Sequence, residues 1–204
     1  MVRVRRSREE GKALLLNTAL NLFKEKGYNA TSVQDIVDVA GVSKSNFFYY
    51  FPTKDDVLRE LFSGYTQELK EKILNKTKGL NALDRLSAYI RTVIEHFDTL
   101  SYFHKVILEK YSFILDMVVD KKMSAQEILN DILNEIINQG ISEGTIHPQN
   151  IATAQFFFKS SISSYLRRYD LVETNRETAA KEDYVKAMFS LTEALFGIER
   201  GQLK

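Results

Sequence analysis

Lys44, Ser45, Asn46 and Tyr49 bring four polar, hydrogen-bonding side chains together within six residues. Groups of these types contact nucleic acid: lysine meets phosphate or the O6 and N7 of guanine, while hydroxyl and amide groups meet phosphates and base edges. Other chemistries lack the residues they need. The three histidines, His96, His104 and His147, have no metal-ligand spacing such as H-E-x-x-H, and there is no Cys for a disulfide framework or a thiolate site. The chain has no G-x-S-x-G elbow, phosphate-binding glycine loop or dinucleotide fingerprint. This pattern predicts a binding protein without cofactor or metal rather than an enzyme.

The elements that must position these side chains lie in TSVQDIVDVAGVSKSNFFYYFPTK, Thr31 to Lys54. Val33, Ile36, Val37 and Ala40 follow i, i+3, i+4, i+7 spacing, which predicts a short helix with one apolar face. Ser32 can cap it, with Asp35 as the acidic partner three positions on. Gly41 stands where the helix needs a residue that tolerates the left-handed conformation. Ser43 caps a second helix, in which Phe47 and Phe51 lie side by side, flanked by Lys44 and Tyr50. Ser45 and Tyr49 fall on the opposite side, with Asn46 and Phe48 between. Pro52 ends that helix, because the residue before a proline is pushed out of the α region. Thr53 and Asp56 form another capping pair, opening a long helix from about Lys54. Two short helices joined by a glycine turn make a helix-turn-helix, whose second helix enters the DNA major groove.

The segment GYNATSVQDIVDVAGVSKSNFFYYFPTKDDVL, Gly27 to Leu58, resembles the DNA-binding domain of the tetracycline-repressor (TetR) family. The resemblance rests on Gly27-Tyr28, Thr31-Ser32, Ile36, Ala40-Gly41-Val42-Ser43, Tyr49-Tyr50-Phe51, and Lys54 followed by Asp55, Asp56 and Leu58. It extends back to an amphipathic helix with Ala19, Leu20 and Phe23. Past about residue 60 it is one of length and helical character only. The resemblance implies base contacts from Gln34, Lys44, Ser45 and Tyr49, and phosphate contacts from Thr31, Asn46, Tyr50 and Lys54. Phe48 stands where the family often has a phosphate-contacting Tyr, so that contact is missing here.

Charge is distributed to match. The 204 residues carry a net charge of only +1. Residues 1–54 hold nine basic and five acidic side chains, a net +4, leaving nineteen basic and twenty-two acidic ones, a net −3. A basic head on a mildly acidic body suits a phosphate-facing module attached to something that does not touch DNA. Arg3, Arg5, Arg6 and Arg8 read as a flexible arm able to follow a phosphate backbone or enter a minor groove. No stretch approaches ~18 consecutive apolar residues, and the basic N-terminus leads into a broken amphipathic helix. The expectation is a cytoplasmic protein with no signal peptide and no membrane span.

The remaining chain reads as all-α, giving a helix-turn-helix domain over 1–53 and a larger helical domain over 54–204. Apolar residues recur at helical spacing in about 54–77, 82–98, 101–119, 122–143, 149–169 and 180–199. Breaks fall near Lys78-Gly79, Thr99-Leu100-Ser101, Gly144 to Pro148 and Glu173 to Glu177. Residues 151–169 combine Phe156, Phe157 and Phe158 with small residues, and three consecutive Phe cannot all face one way. The last helix offers a stripe of Tyr184, Ala187, Met188, Leu191, Leu195 and Phe196. Both helices serve equally well as intramolecular core. In the family, the corresponding helices pair with a second subunit, which implies a homodimer through 149–169 and 180–199.

The family also encloses an effector pocket among its middle helices. Carried over, this selects Tyr65, Tyr89, Phe97, His104, Ile107, Tyr111, Ile114 and Tyr165, large or polar-tipped groups that can also be ordinary core. A pocket so lined favours a hydrophobic or amphipathic small molecule. The reading that follows is a ligand-responsive repressor, binding a palindromic double-stranded DNA operator as a dimer and released by its effector. The competing reading is a constitutive DNA-binding regulator with no small-molecule effector.

Overall fold

The computed structural model describes residues 7–96, 99, 102, 106, 125–169 and 178–204, and among these every regular element is a helix. They are α1 (Arg8–Lys26), α2 (Val33–Ala40), α3 (Lys44–Tyr50), α4 (Lys54–Thr77), α5 (Ala82–Glu95), α6 (Ala125–Glu143), α7 (Ile151–Tyr169) and α8 (Thr178–Phe196). The chain forms two compact units, Met1–Tyr65 and Thr66–Lys204.

In the first unit, α1 starts at a reciprocal cap. Glu10 N–H donates to Ser7 Oγ at 3.1 Å, and Ser7 N–H donates to Glu10 Oε2 at 2.7 Å. Arg8 is thereby helical rather than part of a flexible arm, while Arg3, Arg5 and Arg6 lie outside the described residues. Leu15, Ala19, Leu22 and Phe23 form the buried stripe of α1 and receive α2, which contributes Ile36, Val37 and Ala40. Tyr28 closes this core edge-on to Phe23, with ring centroids 5.0 Å apart. From α3 comes Phe47 and from its C-cap Phe51, both buried, and from the first turns of α4 come Val57 and Leu58.

In the second unit, α5 is the central element: it packs on α6 and on α8, and α8 packs on α7. Leu86, Tyr89, Ile90 and Val93 of α5 meet a core that includes Ile136 and Ile137 of α6, Phe158 of α7 and Phe196 of α8. The expected break at Lys78-Gly79 is a turn with Gly79 at φ 74°, and that at Gly144 has φ 70°. Helix boundaries differ from the expected ones for local reasons. The helix placed over 149–169 begins at Ile151 because Asn150 Oδ1 accepts from Thr153 N–H at 2.9 Å. That placed over 180–199 begins at Thr178 and ends at Phe196. Gly197 then turns to φ 63°, where an added Cβ would lie 2.3 Å from His147 O. The helix placed over 82–98 ends at Glu95, and that over 101–119 lies almost wholly outside the described residues.

Candidate nucleic-acid interface

Each side chain of the predicted reading surface is held by a backbone device legible in the same segment. Ser32 Oγ accepts from Asp35 N–H at 3.1 Å, and Asp35 Oδ2 accepts from Ser32 N–H at 2.8 Å and from Ser32 Oγ at 2.5 Å. These hydrogen bonds, the hydroxyl one foremost, hold the Asp35 carboxyl below the ordinary aspartate range. Gly41 adopts φ 65°, ψ 37°, and its N–H bonds back to Asp38 and Val37 carbonyls, turning the chain out of α2. Ser43 Oγ then accepts from Asn46 N–H at 3.2 Å and starts α3. Phe51 leaves the helix in an extended conformation ahead of Pro52. The Thr53–Asp56 pair is reciprocal: Thr53 N–H donates to Asp56 Oδ2 at 2.9 Å, and Asp56 N–H donates to Thr53 Oγ1 at 3.2 Å.

With Phe47 and Phe51 turned inward, α3 shows the opposite side to solvent. Lys44, Ser45 and Asn46 are exposed, and Tyr49 is 63% exposed. Among the described residues Lys44 has no ion-pair partner. Gln34 is exposed on α2, its amide donating to Asp38 Oδ1 at 2.6 Å. The guanidinium of Arg8 lies 5.5 Å from the centre of the Tyr49 ring, placing a positive charge beside α3. Sequence reasoning missed this role, although the Ser7-x-x-Glu10 cap that puts Arg8 in the helix is a readable signal. Tyr50 is half-buried, and its hydroxyl rests against the backbone of Gly11.

Thr31 and Lys54 depart from the phosphate-facing pattern. Thr31 is 1% exposed, and its hydroxyl donates to Gly27 O at 2.8 Å and Leu22 O at 3.3 Å, completing the end of α1. Lys54 Nζ donates to Tyr28 O at 2.7 Å and Thr31 O at 2.6 Å. It also lies 4.2 Å from the Tyr28 ring centre, and burial pulls its pKa below the ordinary lysine value. Tyr28 in turn donates its hydroxyl to Asp55. These groups form a clasp between the α1–α2 turn and the start of α4. The carbonyls of Tyr28 and Thr31 lie in the turn outside any helix ladder, and the Lys54 ammonium supplies donors to both.

The family described as bacterial regulatory proteins, tetR family, matches residues 15–61, from within α1 to the early part of α4. Over residues 15–61 the chain therefore carries the helix-turn-helix domain typical of that family. The HTH-type transcriptional regulator YuxN of Bacillus subtilis is 38% identical over 98 residues, covering 46% of this chain and 34% of YuxN. The HTH-type transcriptional repressor KstR2 of Rhodococcus jostii is 33% identical over 85 residues, covering 41% of this chain and 42% of KstR2. The chain thus spans well under half the length of these curated relatives. A solved TetR transcription regulator from Haloarcula marismortui superposes with a TM-score of 0.77 at 18% identity, over 92% of this chain and 99% of that one. That likeness establishes the fold alone: a helix-turn-helix unit followed by a helical C-terminal region.

The effector-pocket candidates fare differently. Phe97, His104, Ile107, Tyr111 and Ile114 lie outside the described residues, as does the side chain of Tyr165. Tyr65 is half-buried on α4. Tyr89 is buried, donates its hydroxyl to Leu129 O at 3.2 Å and lies 6.3 Å from the Phe158 ring; burial raises its pKa. Among the described residues no helix is long and apolar enough to cross a membrane, and no cluster of metal-ligating side chains occurs.

Proposed function

We propose that the chain is a ligand-responsive transcriptional repressor that binds a palindromic or near-palindromic DNA operator as a homodimer. The observation that carries this is the α3 surface: Lys44, Ser45, Asn46 and Tyr49 point to solvent from a helix anchored by Phe47 and Phe51. Gln34, Lys44, Ser45 and Tyr49 are assigned to base edges, and Asn46 and Tyr50 to phosphates. Thr31 and Lys54 are assigned the positioning of α2 through the clasp that they form. The name of the repressor KstR2 supports the direction of control.

Dimerisation is supported by α7, where Phe156 is 65% and Phe157 52% exposed beside the fully buried Phe158. The two recognition helices of such a dimer would meet successive major-groove faces ~34–36 Å apart, or near a multiple of that spacing. Residues 54–204 are assigned to effector binding and dimerisation, with a hydrophobic or amphipathic effector that favours the conformation with wrongly spaced heads. The protein acts where the DNA is, in the cytoplasm.

The test is selection of duplexes from a random pool, followed by affinity measurements across salt concentrations. A specific sequence should enrich, and Lys44→Ala should weaken and relax recognition at one position, by about 1–3 kcal/mol. Unchanged sequence preference in Lys44→Ala would remove the assignment of α3 as the reader. Mass spectrometry of ligand co-purified with the folded protein then identifies the effector.

A further inference from the structure

Phe48 breaks the division of α3 into a buried aromatic side and a polar outward side. Its neighbour Phe47 is fully buried and Phe51 nearly so, yet Phe48 is 50% exposed. In helical register it lies one turn beyond Lys44 and Ser45, at i+4 and i+3 from them, on the outward surface. Phe47 meets it edge-on at 5.4 Å, leaving the rest of the ring open. A phenyl ring has neither donor nor acceptor, so it cannot bond to a phosphate or to the hydrogen-bonding part of a base edge. The major groove offers one apolar group among the four bases, the C5-methyl of thymine.

We propose that the Phe48 ring reads the C5-methyl of a thymine, making it a specificity-determining residue of the operator interface. The proposal rests on the reading of α3 as the DNA-reading helix. One helical turn from Lys44 is about 5.4 Å, and base pairs are about 3.4 Å apart, so this thymine lies one or two base steps from the base that Lys44 addresses. The contact selects thymine over cytosine without any hydrogen bond. It also covers a ring that folding leaves half open to water.

Uracil substitution tests this directly, because it removes the methyl and leaves every hydrogen-bonding edge of the base pair unchanged. Duplexes enriched by the wild-type protein from a random pool are resynthesised with each thymine replaced in turn by uracil. Affinities are then measured for wild type, Phe48→Ala and Phe48→Tyr. One thymine in each half-site should be sensitive, its uracil form binding wild type about fourfold more weakly, the value expected for one buried carbon. Phe48→Ala should bind the thymine and uracil forms equally, and Phe48→Tyr, which keeps the ring, should retain the discrimination. If every thymine-to-uracil change affects wild type and Phe48→Ala alike, the proposal is wrong while the DNA-binding reading stands. If no duplex enriches at all, both fail together.

Discussion

Ser32 and Asp35 close a cap across three residues, whereas Arg91 reaches Glu182 across ninety-one. That contrast separates the two units. In the helix-turn-helix head, three reciprocal caps (Ser7 with Glu10, Ser32 with Asp35, Thr53 with Asp56) start three helices by bonds between near neighbours. In the body, polar groups find partners far along the chain. Glu143 accepts from Ala82 N–H at 3.0 Å, and Lys204 N–H donates to Ser87 Oγ at 3.2 Å. Glu193, nearly buried, accepts from both Gly201 and Leu203 N–H groups and holds the C-terminal tail. A head that keeps one helix face outward has little interior, so it starts its helices locally and reserves longer reach for the Lys54 clasp. The body, with a larger core, can use long-range bonds because packing has already brought their partners together.

The largest effect should therefore come from body packing. Phe158 is fully buried, 6.3 Å from the Tyr89 ring and 6.2 Å from that of Phe196. Phe158→Ala should lower the free energy of unfolding by about 3–5 kcal/mol, measured by urea denaturation. A loss no larger than that of a single cap would dissolve the contrast. Next comes the tail anchor. Glu193→Ala leaves two backbone donors without their acceptor, one of them buried, and should cost about 1.5–3 kcal/mol. Hydrogen exchange at Gly201 and Leu203 should accelerate in that variant, and Glu193→Gln, which keeps an acceptor oxygen, should recover most of the protection.

The same contrast explains what could be read from the sequence. The α2–turn–α3 geometry was legible residue by residue, because Ser32, Gly41, Ser43 and Pro52 act on their immediate neighbours. So was α4 over 54–77, bounded by the Thr53 cap and the Gly79 turn. The clasp of Lys54 was not, since a lysine gives no sign of which carbonyls it will meet until α1 and α4 are folded. For the same reason Thr31 read as a surface residue: burial depends on where α1 ends, not on the threonine. The approach of Arg91 Nη1 to both carboxylate oxygens of Glu182, with the guanidinium also 5.1 Å from the Phe189 ring, has no local signature either. Phe48 was visible as an aromatic between two faces, but only its exposure separates it from Phe47.

Smaller effects are expected in the head. Ser32→Ala should cost about 1 kcal/mol, the usual worth of an N-cap. Asp35 adds a pH signature. Its folded pKa lies below the ordinary value, so its contribution is present above about pH 4 and is lost as pH falls through the lowered value. Removing the Ser32 hydroxyl removes the largest cause of that shift, so Ser32→Ala should move the Asp35 titration upward. Carboxyl carbon chemical shifts across an acid titration would register this, and an unmoved midpoint would mean that the cap does not hold the charge.

The smallest stability change is expected at Gly11, where the comparison becomes sharpest. Gly11 lies inside α1, and a Cβ there would sit 2.6 Å from Tyr50 Oη and 3.3 Å from Tyr50 Cζ. Two effects oppose each other. Alanine favours a helix interior over glycine by about 0.5–1 kcal/mol, because the unfolded chain has less freedom to lose. The displaced atoms are at the far end of a half-buried ring, so Tyr50 can swing aside instead of straining the backbone. Gly11→Ala should consequently change the unfolding free energy by less than about 1 kcal/mol. Operator affinity should respond more: moving the Tyr50 hydroxyl away from its assigned phosphate should weaken binding roughly fivefold, the equivalent of about 1 kcal/mol for one hydrogen bond. A fluorescence titration with the selected duplex, paired with a urea melt of the same variant, reads both quantities. Loss of stability without loss of affinity would make the Gly11–Tyr50 approach a packing contact only and would take Tyr50 out of the interface.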